Sequence, residues 1–226
     1  MKHSILLALI LPLTAVEPSV RTCRILFLEA PASAPTSLFL FDGSESREVD
    51  LPRMNFSKVY SLPAGALRLH LLSTALDDPE QLPDGAPCAK VSAGVTDFYL
   101  LLTSDPENKV APVRMQAIHA GSDRLKRGQM LWFNLTRNTI GGTVGSERLV
   151  VQPGARTVID PPARGNERYQ VDLGFRIPDE DHLYPLCETK WMHDPRSRSV
   201  AFIIPKAGIR TPRVLVFPDF RDDEQP

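Results

Sequence analysis

The sequence predicts an all-β protein, built as two consecutive antiparallel β-sandwich modules behind an N-terminal signal helix. Three observations predict it. Beyond residue 20, short apolar or alternating runs recur along the chain, each closed by Gly, Pro, Asp or Ser. The 21 prolines are dispersed between those runs, where they punctuate strands and forbid long helices. No stretch after residue 20 carries apolar residues at i, i+3, i+4 and i+7 over three turns.

Residues 1–19 have the layout of a secretory signal peptide. Lys2 and His3 form a charged start, residues 5–16 an apolar run interrupted by Pro12, and Ala15 a small residue near the expected cut. A membrane-spanning helix needs ~20 apolar residues, which this run does not supply. The mature chain is therefore expected outside the cytoplasm, in the periplasm, at the cell surface or in the medium.

In the first module, residues 20–120, strands are expected at 24–29 (RILFLE), 37–42 (SLFLFD), 57–62 (SKVYSL), 67–72 (LRLHLL), 95–103 (VTDFYLLLT) and 113–119 (VRMQAIH). The run at 95–103 is apolar without alternation, the pattern of a central strand buried on both faces. The polar, glycine-flanked segment 121–128 (GSDRLKRG) divides the modules. The second module, 121–220, is expected to hold strands at 129–135, 148–152, 156–159, 169–176, 186–193, 200–204 and 213–217. Residues 221–226 form an acidic tail without apolar anchors, expected to be disordered. Two strand ends echo each other: VYSLPAGA at 59–66 and LVVQPGA at 149–155 each run through a Pro-Gly turn into a further strand. The echo raises the duplication of one module.

The stretch WFNLTRNTIGGTVGSERLVVQPGA, residues 132–155, resembles a module of uncharacterised exported bacterial proteins with immunoglobulin-like sandwiches. An Asn-Leu-Thr strand end, a Gly turn and a Pro-Gly turn follow one another in both. The resemblance spans under a fifth of the chain and implies an immunoglobulin-like sandwich and export, with no activity or site residues attached.

Charge excludes one partner class. The 26 basic and 27 acidic residues nearly balance, and the short group Arg124, Lys126 and Arg127 reads as a solvated loop, so no nucleic acid is expected as a partner. Three cysteines, Cys23, Cys88 and Cys187, enter an oxidising compartment, where two of them can pair. Cys88 and Cys187 are the candidate disulfide, with two buried thiols as the alternative. The preceding Val20, Arg21 and Thr22 disfavour lipid attachment at Cys23.

Chemistry-bearing residues are sparse. His182, Cys187, Glu188 and His193 have the types zinc prefers. An extended strand would hold Cys187 and His193 ~20 Å apart, so no metal site is expected. The run Asp179, Glu180 and Asp181 lacks a glycine to fold a calcium loop closed and reads as a solvated turn. Neither Gly43-Ser44 nor Gly145-Ser146 fits a Gly-x-Ser-x-Gly elbow, and no histidine is oriented by sequence toward a nucleophile. Asn55-Phe56-Ser57 and Asn134-Leu135-Thr136 match the N-glycosylation triplet, with strand-end hydrogen bonding as the simpler origin.

The remaining candidates are aromatic platforms. Alternation along 129–135 sets Leu131, Phe133 and Leu135 on one face and Trp132 on the other; with the first set inward, Trp132 faces out and could stack on a sugar or a partner. Packing against the other module or a long loop is its alternative. Trp191 is the second candidate. The expected function is that of an exported, non-catalytic envelope or surface component that supports or binds an unknown macromolecule, protein or polysaccharide. It uses no cofactor and has no transmembrane segment in the mature chain. A carbohydrate- or ligand-binding module using Trp132 or Trp191 is the alternative, and a divergent hydrolase a third.

Overall fold

A computed structural model describes residues 21–120, 125–206 and 208–220. The expected signal peptide, the first half of the polar divider and the acidic tail lie outside the described residues. Sixteen strands and no α-helix make up those described. The first eight are β1 (Arg21–Phe27), β2 (Ser37–Phe41), β3 (Ser46–Asp50), β4 (Tyr60–Leu62), β5 (Leu67–Leu72), β6 (Cys88–Val91), β7 (Asp97–Ser104) and β8 (Val113–His119). The second eight are β9 (Met130–Asn134), β10 (Thr139–Val144), β11 (Glu147–Val151), β12 (Arg156–Ile159), β13 (Arg168–Arg176), β14 (Leu183–Met192), β15 (Arg198–Lys206) and β16 (Ile209–Asp219).

The strands form four sheets of four. Sheet I has the order β4-β1-β7-β8 and sheet II the order β3-β2-β5-β6; sheet III is β12-β9-β15-β16 and sheet IV is β11-β10-β13-β14. Adding eight to every strand number of the first pair of sheets gives the second pair. The likeness extends to direction, since β1 runs parallel to β7 and β9 parallel to β15 in otherwise antiparallel sheets. Two sandwiches of one topology follow one another along the chain. The echo at 59–66 and 149–155 does not mark this repeat: it aligns the β4–β5 turn with the β11–β12 turn, whereas the topology matches β4 to β12. Pro-Gly turns recur because hairpins need them.

Period-two alternation distributes the apolar residues over three cores. Cys23, Ile25 and Phe27 of β1 and Phe98, Leu100 and Leu102 of β7 pack against sheet II. Their neighbours Leu26, Leu28, Tyr99 and Leu101 face the other way and meet Leu131, Phe133, Val200, Phe202, Ile204 and Phe217 of sheet III. Met130, Trp132, Ala201 and Ile203 then point into the third core, against Ile140, Leu149, Val171 and Phe175 of sheet IV. The layers therefore stack II–I–III–IV, with the two inner sheets back to back. Burial on both faces is why β7, β9 and β15 read as continuous apolar runs.

Three strands escape the sequence pattern. β3 (SREVD) and β6 (CAKV) are polar edge strands with few β-branched residues. β10 (TIGGTV) carries two glycines that argue against a strand. Gly142 is required there: its φ is +151°, and a Cβ would collide with the Asp172 carbonyl of β13.

A polar latch ties the two inner sheets. Asp219, the last residue of β16, is 1% exposed. It receives the hydroxyl of Tyr99 at 2.5 Å and pairs with Arg24 of β1; Arg198 of β15 lies 3.8 Å away. Arg198 also reaches Asp97 at 3.3 Å and donates to the Ala120 carbonyl at 2.7 Å. Arg24 further donates to the carbonyls of Ser57 and Phe220.

Candidate functional site

The aromatic candidates separate. Trp132 is fully buried in the core between sheets III and IV, so it presents no outward platform. The alternation was right but the faces were not, because sheet III has no solvent face: Leu131 and Phe133 turn to sheet I and Trp132 to sheet IV. Trp191 is half-buried on the edge strand β14 and stacks on Trp132 with ring centres 5.9 Å apart. Tyr169 meets Trp191 edge-on at 6.2 Å and His193 at 6.4 Å, continuing the aromatic file. Burial pushes the Tyr169 hydroxyl up to about 12 and holds the His193 imidazole below its ordinary value.

The candidate disulfide is not formed. Cys88 lies on β6 in sheet II and Cys187 on β14 in sheet IV, the two outermost layers of the stack, and neither is disulfide-bonded. With sheets ~10 Å apart, the pair is several times farther apart than the ~7 Å Cα limit of a disulfide. Neither forms the expected pair of buried thiols: Cys88 is exposed, and Cys187 is half-buried, with its thiol pushed up by burial and by Asp172. Among the described residues, no three His, Cys, Asp or Glu side chains gather as metal ligands. Asn134, fully buried, donates to the carbonyls of Asn138 and Val151 and accepts from Thr136, so its triplet is a strand-end hydrogen-bond device.

An open groove of about 540 Å³ runs between β14 and β16, the neighbouring edge strands of sheets IV and III. Tyr169, Trp191 and Met192 form one wall, Val214, Val216 and Pro218 the other, and Phe220 stands at the mouth. Met192 and Phe220 are 60% and 52% exposed, leaving apolar surface in solvent. Toward the other end of β14 and β16, outside the groove lining, Arg210 donates to Glu180 at 2.6 Å and to the Tyr184 hydroxyl at 3.0 Å and lies over the Tyr184 ring. Polar groups are few: Lys190, Asp194, Ser197 and Ser199. Arg196 pairs with Asp194 and, with its backbone N–H, lowers that carboxyl to about 2. Among the described residues Lys190 has no such partner.

The same position in the first sandwich is filled. There β6 buries Ala89 and Val91, β8 buries Val113, and the Ser73 hydroxyl and Asn108 amide tie the adjoining loops to the Val110 and Gly85 carbonyls at 2.6 and 3.0 Å. In contrast, none of the ten residues of β14 is fully buried. Val214, Val216 and Pro218 carry no site signal in sequence because 213–217 reads as one more strand; alternation is visible there, an edge position is not.

A second depression, about 720 Å³, lies on the outer face of sheet IV over Gly141, Gly142 and Gly174 and between Arg148, Arg176 and Asp172. Its floor is glycine backbone and no aromatic ring lines it. No protein-family model matches the chain, and no curated protein does.

Proposed function

We propose that this chain is an exported, non-catalytic interaction protein of the cell envelope or surface, whose first sandwich serves as a base and whose second binds another macromolecule at the β14–β16 groove. One observation carries the reading. The edge of the second sandwich gathers exposed Met192 and Phe220 beside half-buried Trp191, Val214 and Val216 around one groove, on an edge strand β14 with no fully buried residue, whereas β6 at the corresponding edge of the first buries Ala89 and Val91. Aromatic and Met side chains in a concave site are the residues that dominate recognition energetics. The charged start and apolar run of residues 2–16 support export. A half-exposed indole beside Lys190 and Asp194 also suits a sugar ring, which keeps carbohydrate binding as the second reading.

The test has two parts. Expression of the full chain with cell fractionation and mass spectrometry of its N-terminus should find it exported and cut between about residues 15 and 19; an uncut cytoplasmic protein would overturn export. Screening the purified protein on peptide and glycan arrays should give binding that Trp191→Ala removes. Peptide binding supports the leading reading, glycan binding the second, and binding untouched by Trp191→Ala removes the groove from both.

A further inference from the structure

Resting on that reading, we infer that the groove takes an extended peptide segment of a partner protein, which adds to sheet III as a fifth strand beside β16 and carries an acidic side chain to Lys190. The hydrogen-bond phase of sheet III supplies the argument. Ser199 donates its N–H to the Gln129 carbonyl at 3.1 Å, and the Ile203 carbonyl accepts from Leu135 at 2.8 Å. Ser199 and Ile203, with Ala201 between them in phase, therefore direct their backbone groups toward β9 and away from β16. Their antiparallel partners Pro218, Val216 and Val214 consequently direct theirs outward.

Nothing among the described residues pairs with that outer edge. It offers the N–H and C=O of Val214 and Val216 and the C=O of Pro218, a ready ladder for an added strand. Pro218, which is exposed, fits this phase, since a proline is tolerated in a strand where its missing N–H would face solvent. The side chains of Val214, Val216 and Pro218 line the groove, so a strand laid on this edge would set every second side chain against Trp191 and Tyr169. From Val214 to Phe220 the edge is ~20 Å long, room for about six residues. Charge selects further: Asp194 is already paired with Arg196, which leaves Lys190 on the groove wall to meet a carboxylate. Apolar residues at alternate positions with one Asp or Glu describe the occupant.

The probe is an array of eight-residue peptides with Val or Leu at alternate positions, Ser and Thr between them and one Glu at varied position, followed by solution titration of the best binder against the purified protein. Val216→Pro removes one outward N–H in the phase where the native Pro218 already sits, leaving the β15–β16 ladder intact. Expected are a melting temperature within a few degrees of wild type, binding weakened at least tenfold by Val216→Pro and by N-methylation of alternate peptide amides, and loss of the preference for Glu in Lys190→Gln. Binding lost in Trp191→Ala but unchanged in Val216→Pro overturns strand addition and leaves the interaction reading standing. Binding of glycans alone, or of no probe on either array, overturns both this inference and the leading reading. Concentration-dependent self-association abolished by Val216→Pro would make a second copy the occupant and overturn the partner peptide.

Discussion

Tyr99 of the first sandwich donates its hydroxyl to Asp219 of the second at 2.5 Å, across the interface of the two inner sheets. The residues are 120 positions apart in sequence, and each is about 1% exposed. Asp219 also meets Arg24, so removing the carboxylate takes an anionic partner from a largely buried arginine and an acceptor from the buried Tyr99 hydroxyl together. Asp219→Ala is expected to cost about 3–5 kcal/mol and Tyr99→Phe about 1–3 kcal/mol, read from urea unfolding midpoints. Tyr99→Phe added to Asp219→Ala should then cost almost nothing more. Additive losses would show that the two residues do not act through one bond.

Sequence pattern located the two sandwiches and most strands because alternation and turn residues are local. The continuous run of β7 even announced burial on both faces. What pattern could not carry was the partner of each face. Alternation alone sets Trp132 outward because one sandwich needs only one inner face, and the back-to-back contact of sheets I and III that buries Leu131 and Phe133 is a long-range fact. Cys88 and Cys187 looked pairable for the same reason, since sequence does not say that they belong to opposite outer layers. The open edge at Val214 and Val216 is likewise invisible locally, because a strand's sequence does not reveal whether a neighbour covers it.

The two tryptophans should differ in mutation and in light. Trp132→Ala is expected to lose about 3–5 kcal/mol by leaving a cavity between sheets III and IV. Trp132→Phe should lose less than its volume implies, because the indole N–H has no acceptor in the native core. Trp191→Ala should lose about 1–2 kcal/mol, mainly its stacking and partial burial. Iodide should quench emission from Trp191 in a Trp132→Phe background and leave Trp132 untouched in Trp191→Phe.

Thiol chemistry should rank by exposure. In protein prepared without reductant, a chromogenic disulfide reagent should find three thiols after denaturation. In the native state Cys88 should react first, Cys187 slowly because its thiolate is disfavoured, and Cys23 only on unfolding. Fewer than three thiols in the denatured sample would mean that a bond forms which this packing does not allow.

Stability should fall with acid in two steps. Burial holds His70 and His193 below the ordinary histidine value, with Arg68 adding to it at His70. Above about pH 6.5 both states keep these rings neutral; below it the unfolded chain takes the protons first, so stability is lost as pH falls toward the lower folded values. The second step belongs to Asp42, in the loop between β2 and β3. Burial alone would raise its carboxyl, but hydrogen bonds from the Glu45 N–H and from the Ser44 hydroxyl and N–H, with Arg47 beside it, bring it below the usual range. Its contribution is present above the unfolded value near pH 4 and disappears as pH falls through the folded one. Urea midpoints measured from pH 8 to pH 3 should therefore show a limb below about pH 6.5 that is flattened in the His70→Gln, His193→Gln double variant. A steeper limb below about pH 4 should be reduced in Asp42→Asn, which also loses about 1–3 kcal/mol at neutral pH. A first limb that survives the double variant would assign it to other groups and remove the two histidines as its cause.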